Sequence, residues 1–183
     1  MDEITLKGLE EKLSPTSVRK NLHNASLFLS AYELLKSQVI NEVRGFFLLK
    51  SKDGRLVYSE KYKEDVLDRS KSLLEASSLW LVDRGAITKI QVEEILEIRE
   101  HRNAIAHKLP NYLFVPDTEI KMTLLMKTRQ CIDQIGRFWA QISIDSTPEY
   151  DNKGVKPEDI KTGASIAIDF IMDVIENENI LNT

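Results

Sequence analysis

The stretch from Ser14 to Phe46 constrains the fold more than any other. Val18, Leu22, Ala25, Phe28, Tyr32, Leu35, Val39, Val43 and Phe46 recur three or four residues apart, and only an α-helix gathers that spacing onto one face. Ser14-Pro15 supplies a start, because proline suits the first helical turn. The pattern predicts one long helix over about 15–46. The rest of the chain holds few breakers: 7 Gly and 5 Pro in 183 residues are too sparse for an all-β fold. A chain of this length buries a core as one domain.

Three further helices follow from the same periodicity. Val66, Leu67, Ser70, Leu73, Leu74, Ser77 and Trp80 predict a helix over about 61–84, ending at Arg84-Gly85. Thr88 caps a third that carries Val92, Ile95, Ile98, Ile105 and Leu109 and stops at Pro110. Pro116-Asp117-Thr118 opens a fourth, to about Ile142, with Ile120, Leu124, Cys131, Ile135, Phe138 and Trp139 facing in. Between the first two, Asp53-Gly54 either closes a short hairpin or sits in an irregular loop. Residues 143–157 are rich in turn formers and read as a linker, followed by an amphipathic helix over 160–175. The expected architecture is all-α: an antiparallel bundle of four main helices in 1–142, a linker at 143–157, and an acidic C-terminal segment at 158–183 that packs on the bundle or on a partner.

Charge is unevenly placed. Residues 145–183 hold 9 acids and 3 bases, which leaves the preceding body at +2 although the whole chain is at −4. A protein that coats nucleic acid by bulk electrostatics is usually basic, so any RNA contact here has to be local. The acidic start and the two aspartates interrupting the most apolar segment, Ile166 to Ile175, argue against a signal peptide or a membrane span. The single cysteine, Cys131, cannot form an internal disulfide, which fits a reducing, cytoplasmic setting. No H-E-x-x-H, cysteine cluster or glycine-rich phosphate loop is present, and the series Glu93, Glu94, Glu97, Glu100 lacks the E-x-x-H spacing of di-iron bundles. Neither metal nor cofactor is expected.

The candidate site lies on the third helix, in Arg102-Asn103-Ala104-Ile105-Ala106-His107. Arg102 and His107 are five apart, about 140° around a helix, a gap that a long arginine spans. Asn103 and His107 are four apart and share a face. An Arg-x4-His spacing arises about 0.15 times by chance in a chain of this composition, and asparagine directly after the arginine lowers that to about 0.007. The chemistry is coherent for RNA cleavage by the substrate's own 2′-hydroxyl, which needs a proton acceptor, a proton donor and a holder for negative charge. His107 is the candidate acid or base, Arg102 the phosphate clamp, and Asn103 the residue that orients phosphate or imidazole. Arg99 and Glu97 are supporting candidates, Glu97 as a partner for Arg102 or Arg99. His101 and His23 read as packing or surface residues.

Arg102-Asn103-x3-His107, late in a helix of an all-α chain, resembles the R-x4-6-H motif of the HEPN (higher eukaryotes and prokaryotes nucleotide-binding) superfamily. The resemblance implies a helical bundle that forms a homodimer with two motifs in one cleft, so that the second protomer supplies the second histidine. It also implies a metal-independent endoribonuclease, acting as a toxin of a toxin–antitoxin pair or in abortive-infection phage defence. In one branch the motif continues as H-x-Y, whose tyrosine is modified by an antitoxin; here Leu109 stands at that position and the nearest tyrosine is Tyr112. Two other readings of Arg102 and His107 stand beside catalysis. One is a structural ion-pair network at a helix end. The other is a non-catalytic module that binds a nucleotide, RNA or an effector partner.

Overall fold

The computed structural model describes residues 3–150 and 154–181; positions 151–153 of the expected linker and both ends of the chain lie outside them. The chain is mostly helical, with one two-stranded sheet. In order it forms α1 (Glu3–Lys12), α2 (Pro15–Lys36), a π-helical turn (Ser37–Asn41), α3 (Glu42–Phe46), β1 (Leu48–Lys52), β2 (Arg55–Tyr58), α4 (Glu60–Asp65), α5 (Leu73–Asp83), α6 (Lys89–Phe114), α7 (Met122–Asp145) and α8 (Gly163–Leu181), with short 3-10 turns at Leu67–Arg69, Pro148–Tyr150 and Pro157–Asp159. Helix α2 packs against α6, α7 and α8, and α5 against α6 and the π turn. The core between them holds Phe28, Leu35, Trp80, Ile95, Ile98, Ile105, Leu125, Ile132 and Ile135. No described helix is long and apolar enough to cross a membrane.

The first helix runs from 15 to 46 as expected, but one turn is widened. The N–H of Ser37 is shared between the carbonyls of Glu33 and Leu34, and the five residues Ser37–Asn41 are π-helical. A π turn takes in an extra residue and so shifts the phase of everything after it. Val39 and Val43 still point inward, but Phe47 is buried in place of Phe46, which is about half exposed. Leu22, also expected inside, is half exposed as well.

The helix expected over 61–84 is two helices. The break opens at Val66, which leaves helical conformation at φ −122°, and Ser70 and Ser72 complete it, since short hydroxyl side chains offer the backbone an alternative to the helical ladder. Ser72 Oγ accepts from the N–H of Glu75 and caps α5, and Ser70 Oγ bonds the Glu75 carboxylate at 2.7 Å. Leu67 and Leu73, on either side of the break, are consequently exposed rather than buried. At the other end Gly85 takes φ +73°, the left-handed conformation that closes a helix and suits glycine. Asp53-Gly54 does close a hairpin: both residues have positive φ, as a two-residue turn of the primed type requires.

Helix α6 begins at the predicted Thr88, whose hydroxyl and Gln91 form a reciprocal capping box. It does not stop at Pro110. It continues to Phe114 through a kink, with Lys108 at φ −127°, ψ 30°. Proline has no N–H for the carbonyl of Ala106 and crowds it, so the turn around Lys108 must open. Helix α7 starts later than expected, at Met122, because Asp117 adopts φ +60° and cannot lie in a helix. Helix α8 packs on α7 and α2, burying Ile168, Met172 and Ile175. Arg129 of α7 holds Asp169 of α8 through two guanidinium nitrogens at 3.0 and 2.8 Å, and Lys161 approaches the same carboxylate at 2.8 Å.

Candidate functional site

Arg102 projects from α6 across to α2. Its Nη2 donates to Glu33 Oε1 at 3.0 Å, its Nη1 donates to Asn103 Oδ1 at 3.3 Å, and its guanidinium lies over the Tyr32 ring at 5.3 Å. Its Nε is buried and makes no hydrogen bond among the described residues. An arginine held this way is oriented by an ion pair, a ring face and an adjacent amide, with one donor left without an acceptor. Leaving such a donor unmet costs about 1–3 kcal/mol, a cost that structures tend to retain where a polar group has work to do.

His107 stands apart from this cluster. It is exposed, one residue before the kink at Lys108, and among the described residues no hydrogen bond or ion pair joins it to Arg102 or Asn103. The proline that opens the helix lies three residues on, so the backbone that carries the imidazole belongs to the distorted turn. Ala106, next to it, is exposed and presents only a methyl group.

Of the supporting residues, Arg99 donates from Nη1 to Ser72 Oγ at 3.0 Å, tying α6 to the N-terminus of α5. Glu97 turns the other way. It faces Lys121 at 3.6 Å and Lys127 at 3.9 Å, on the α7 side of α6, and among the described residues it makes no ion pair with Arg102 or Arg99. The acid that steadies Arg102 is Glu33. Periodicity along α6 cannot find it, because Glu33 belongs to another helix 69 residues earlier. Tyr32 is a second residue the sequence did not single out. Burial raises its hydroxyl pKa, while Lys36, Arg102 and Arg99 pull it back down. Three cations therefore act on one phenol, and two of them, Lys36 and Arg102, pair with Glu33. Beside them on α2 lies a shallow, largely apolar depression formed by Leu29, Ser30, Glu33 and Leu34.

His101 is structural. Its Nε2 accepts the backbone N–H of Lys121 at 3.0 Å, at the start of α7, and its ring meets Phe28 and Tyr112 edge-on. Accepting that bond requires a neutral ring protonated on Nδ1. Burial lowers the pKa, the charge of Lys121 lowers it further, and Glu97 opposes both. Cys131 is buried, and desolvation pushes its thiol up to about 12, so it packs as a small hydrophobe. Among the described residues no three His, Cys, Asp or Glu side chains gather closely enough to hold a metal ion.

Comparison with protein-family models, with curated proteins and with solved structures finds no match to this chain.

Proposed function

We propose that this chain is a metal-independent endoribonuclease of HEPN type, built as an antiparallel helical bundle that works as a cytoplasmic homodimer. The observation that carries the reading is the pairing of Arg102-Asn103-x3-His107 on α6 with Glu33 on α2, which orients the arginine on the same helix that carries an exposed histidine. Arg102 would bind the scissile phosphate, exchanging its contact with Glu33 for phosphate oxygens. His107 would move a proton to or from the ribose 2′-hydroxyl or the leaving 5′-oxygen. One protomer offers a single histidine of this kind. A second copy seated over the depression at Leu29 and Leu34 would bring a second imidazole and cover apolar surface. A toxin or anti-phage role under the control of an antitoxin is part of the same proposal.

A second reading is favoured by one observation: Arg102 is already neutralised by Glu33, and among the described residues no hydrogen bond or ion pair joins His107 to either. In that reading the cleft binds a nucleotide, an RNA or an effector partner without cutting. Incubation of wild type and His107→Ala with tRNA and total RNA in EDTA separates the two. Cleavage by wild type alone, leaving 2′,3′-cyclic phosphate ends, supports the nuclease; RNA retention without cleavage by either protein supports the binding module.

A further inference from the structure

The β-hairpin adds little to the core. Leu48, Leu49, Lys50, Ser51, Arg55 and Leu56 are all exposed, with Leu49 at 66% and Leu56 at 53%. A two-stranded sheet on its own is marginal in water, and this ribbon is held at its root, where Phe47 packs against Tyr62 and Trp80 and Tyr58 against Tyr62. Its charge is opposite to that of the chain. Residues 44–58 carry Arg44, Lys50, Lys52 and Arg55 against the single acid Asp53, within a protein at −4. The register sets Lys50 opposite Val57 and position 52 opposite Arg55, so positions 50, 52 and 55 fall on one face of the ribbon.

Among the described residues seven cations are already committed to ion pairs. Lys36, Arg69, Arg102, Lys121, Lys127, Arg129 and Lys161 each face a carboxylate. Among the described residues no ion pair engages Lys50 or Arg55, and Arg44 lies over the Tyr58 ring at 4.8 Å rather than against an acid. At the root stands Phe46, 51% exposed, its ring beside those of Phe47, Trp80 and Trp139. Unpaired cations on one face of an exposed ribbon, with a half-exposed aromatic ring at its base, match what single-stranded RNA offers: a line of phosphates and bases free to stack.

We propose that the hairpin is an RNA-binding arm, in which Lys50 and Arg55 contact phosphates and Phe46 receives a base. This deepens the reading above by placing the local cationic contact that a net-negative ribonuclease requires, and it rests on RNA being the ligand. The arm is joined to the candidate site by one continuous helix, since Glu33 and Arg44 lie on the same α2–α3 rod about 16 Å apart along its axis. An RNA strand held on the arm is thereby tethered close to Arg102.

The test uses the full chain carrying His107→Ala, so that binding is read without cleavage, and a 5′-labelled single-stranded RNA followed by fluorescence anisotropy at several salt concentrations. In that background, K50E with R55E should weaken binding at least about tenfold and make the log–log salt slope shallower by about 1.4, the value expected for two lost phosphate contacts on a single strand. Phe46→Ser should weaken binding while leaving the salt slope unchanged. Both charge reversals lie on exposed positions, and circular dichroism checks that they fold. Unchanged affinity and slope overturn the arm, as does a parent protein that binds no RNA. If instead Leu49→Ser with Leu56→Ser alters the oligomeric state while the charge reversals leave RNA affinity intact, the ribbon is a protein interface and the arm is again overturned. Cleavage by wild type with full RNA binding by the hairpin variants sinks the arm alone; loss of binding in those variants with no cleavage by wild type sinks the nuclease reading alone.

Discussion

Arg102 Nη2 sits 3.0 Å from Glu33 Oε1, joining the motif helix to α2 across an ion pair in which the arginine side chain is 31% and the glutamate 48% exposed. A pair this open contributes little to folding, about 0–1 kcal/mol. Its weight falls on the availability of the arginine, because a phosphate has to compete with the carboxylate for the same donors. Glu33→Gln keeps an oxygen to accept from Nη2 but removes the charge. The expected outcome is an unfolding midpoint almost unchanged and RNA affinity raised several-fold, measured by urea titration and by anisotropy in the His107→Ala background. A large drop in stability would show that the pair is chiefly structural.

His107 is exposed and joined to neither Arg102 nor Asn103, so its loss should be silent in folding. His107→Ala is expected to shift stability by no more than about 0.5 kcal/mol. Under the proposed function it should lower the cleavage rate by about 10²–10⁴-fold, the usual range for a lost general acid or base. Equal cleavage by variant and wild type in EDTA would remove His107 from the mechanism.

His101 supplies a pH dependence of known sign. Its folded pKa lies below its unfolded value of 6.5, with burial as the main cause. The unfolded chain therefore binds the proton more readily. The stability held by the neutral ring is fully present above 6.5 and falls as the pH drops below 6.5 toward the folded value. The urea midpoint should decline between about pH 7 and pH 5, and His101→Phe should flatten that decline while losing the bond to the Lys121 N–H. A wild-type midpoint that is level across this window would contradict the buried acceptor geometry.

Pro110 opens the turn that carries His107. Pro110→Ala restores an N–H able to reach the Ala106 carbonyl, so the helix should straighten and stability should rise by up to about 3 kcal/mol, the cost assigned to an interior proline. The imidazole rides on that turn, and cleavage should fall as stability rises. A variant that is both more stable and equally active would detach the kink from function.

Ile168 of α8 is fully buried. Truncating a residue of this kind to alanine costs about 2–5 kcal/mol, so Ile168→Ala should lower the urea midpoint markedly and in a single transition. Two separate transitions, or almost no change, would show α8 to be loosely attached.

The sequence by itself determined the mainly helical class, the starts and stops of several helices, and the placing of Arg102, Asn103 and His107 on one helix. Apolar spacing, the Ser14-Pro15 start, the Thr88 cap and the Gly85 stop all act within a turn or two of chain, and each stands in the structure where local chemistry places it. Where local signals compete, periodicity alone misplaced the outcome. The serines at 70 and 72 outbid the helix they interrupt, and the π turn at Ser37–Asn41 moved burial from Phe46 to Phe47. Pro110 bent a helix that packing against α2 and α7 kept going. The surroundings of the motif were decided only by tertiary structure. Glu33 and Tyr32 reach Arg102, and Lys121 and Lys127 draw Glu97 away, because packing brings together side chains from helices far apart in sequence. Spacing along one helix reports which residues share its face; which neighbour each of them meets depends on how the helices pack, and no local pattern encodes that.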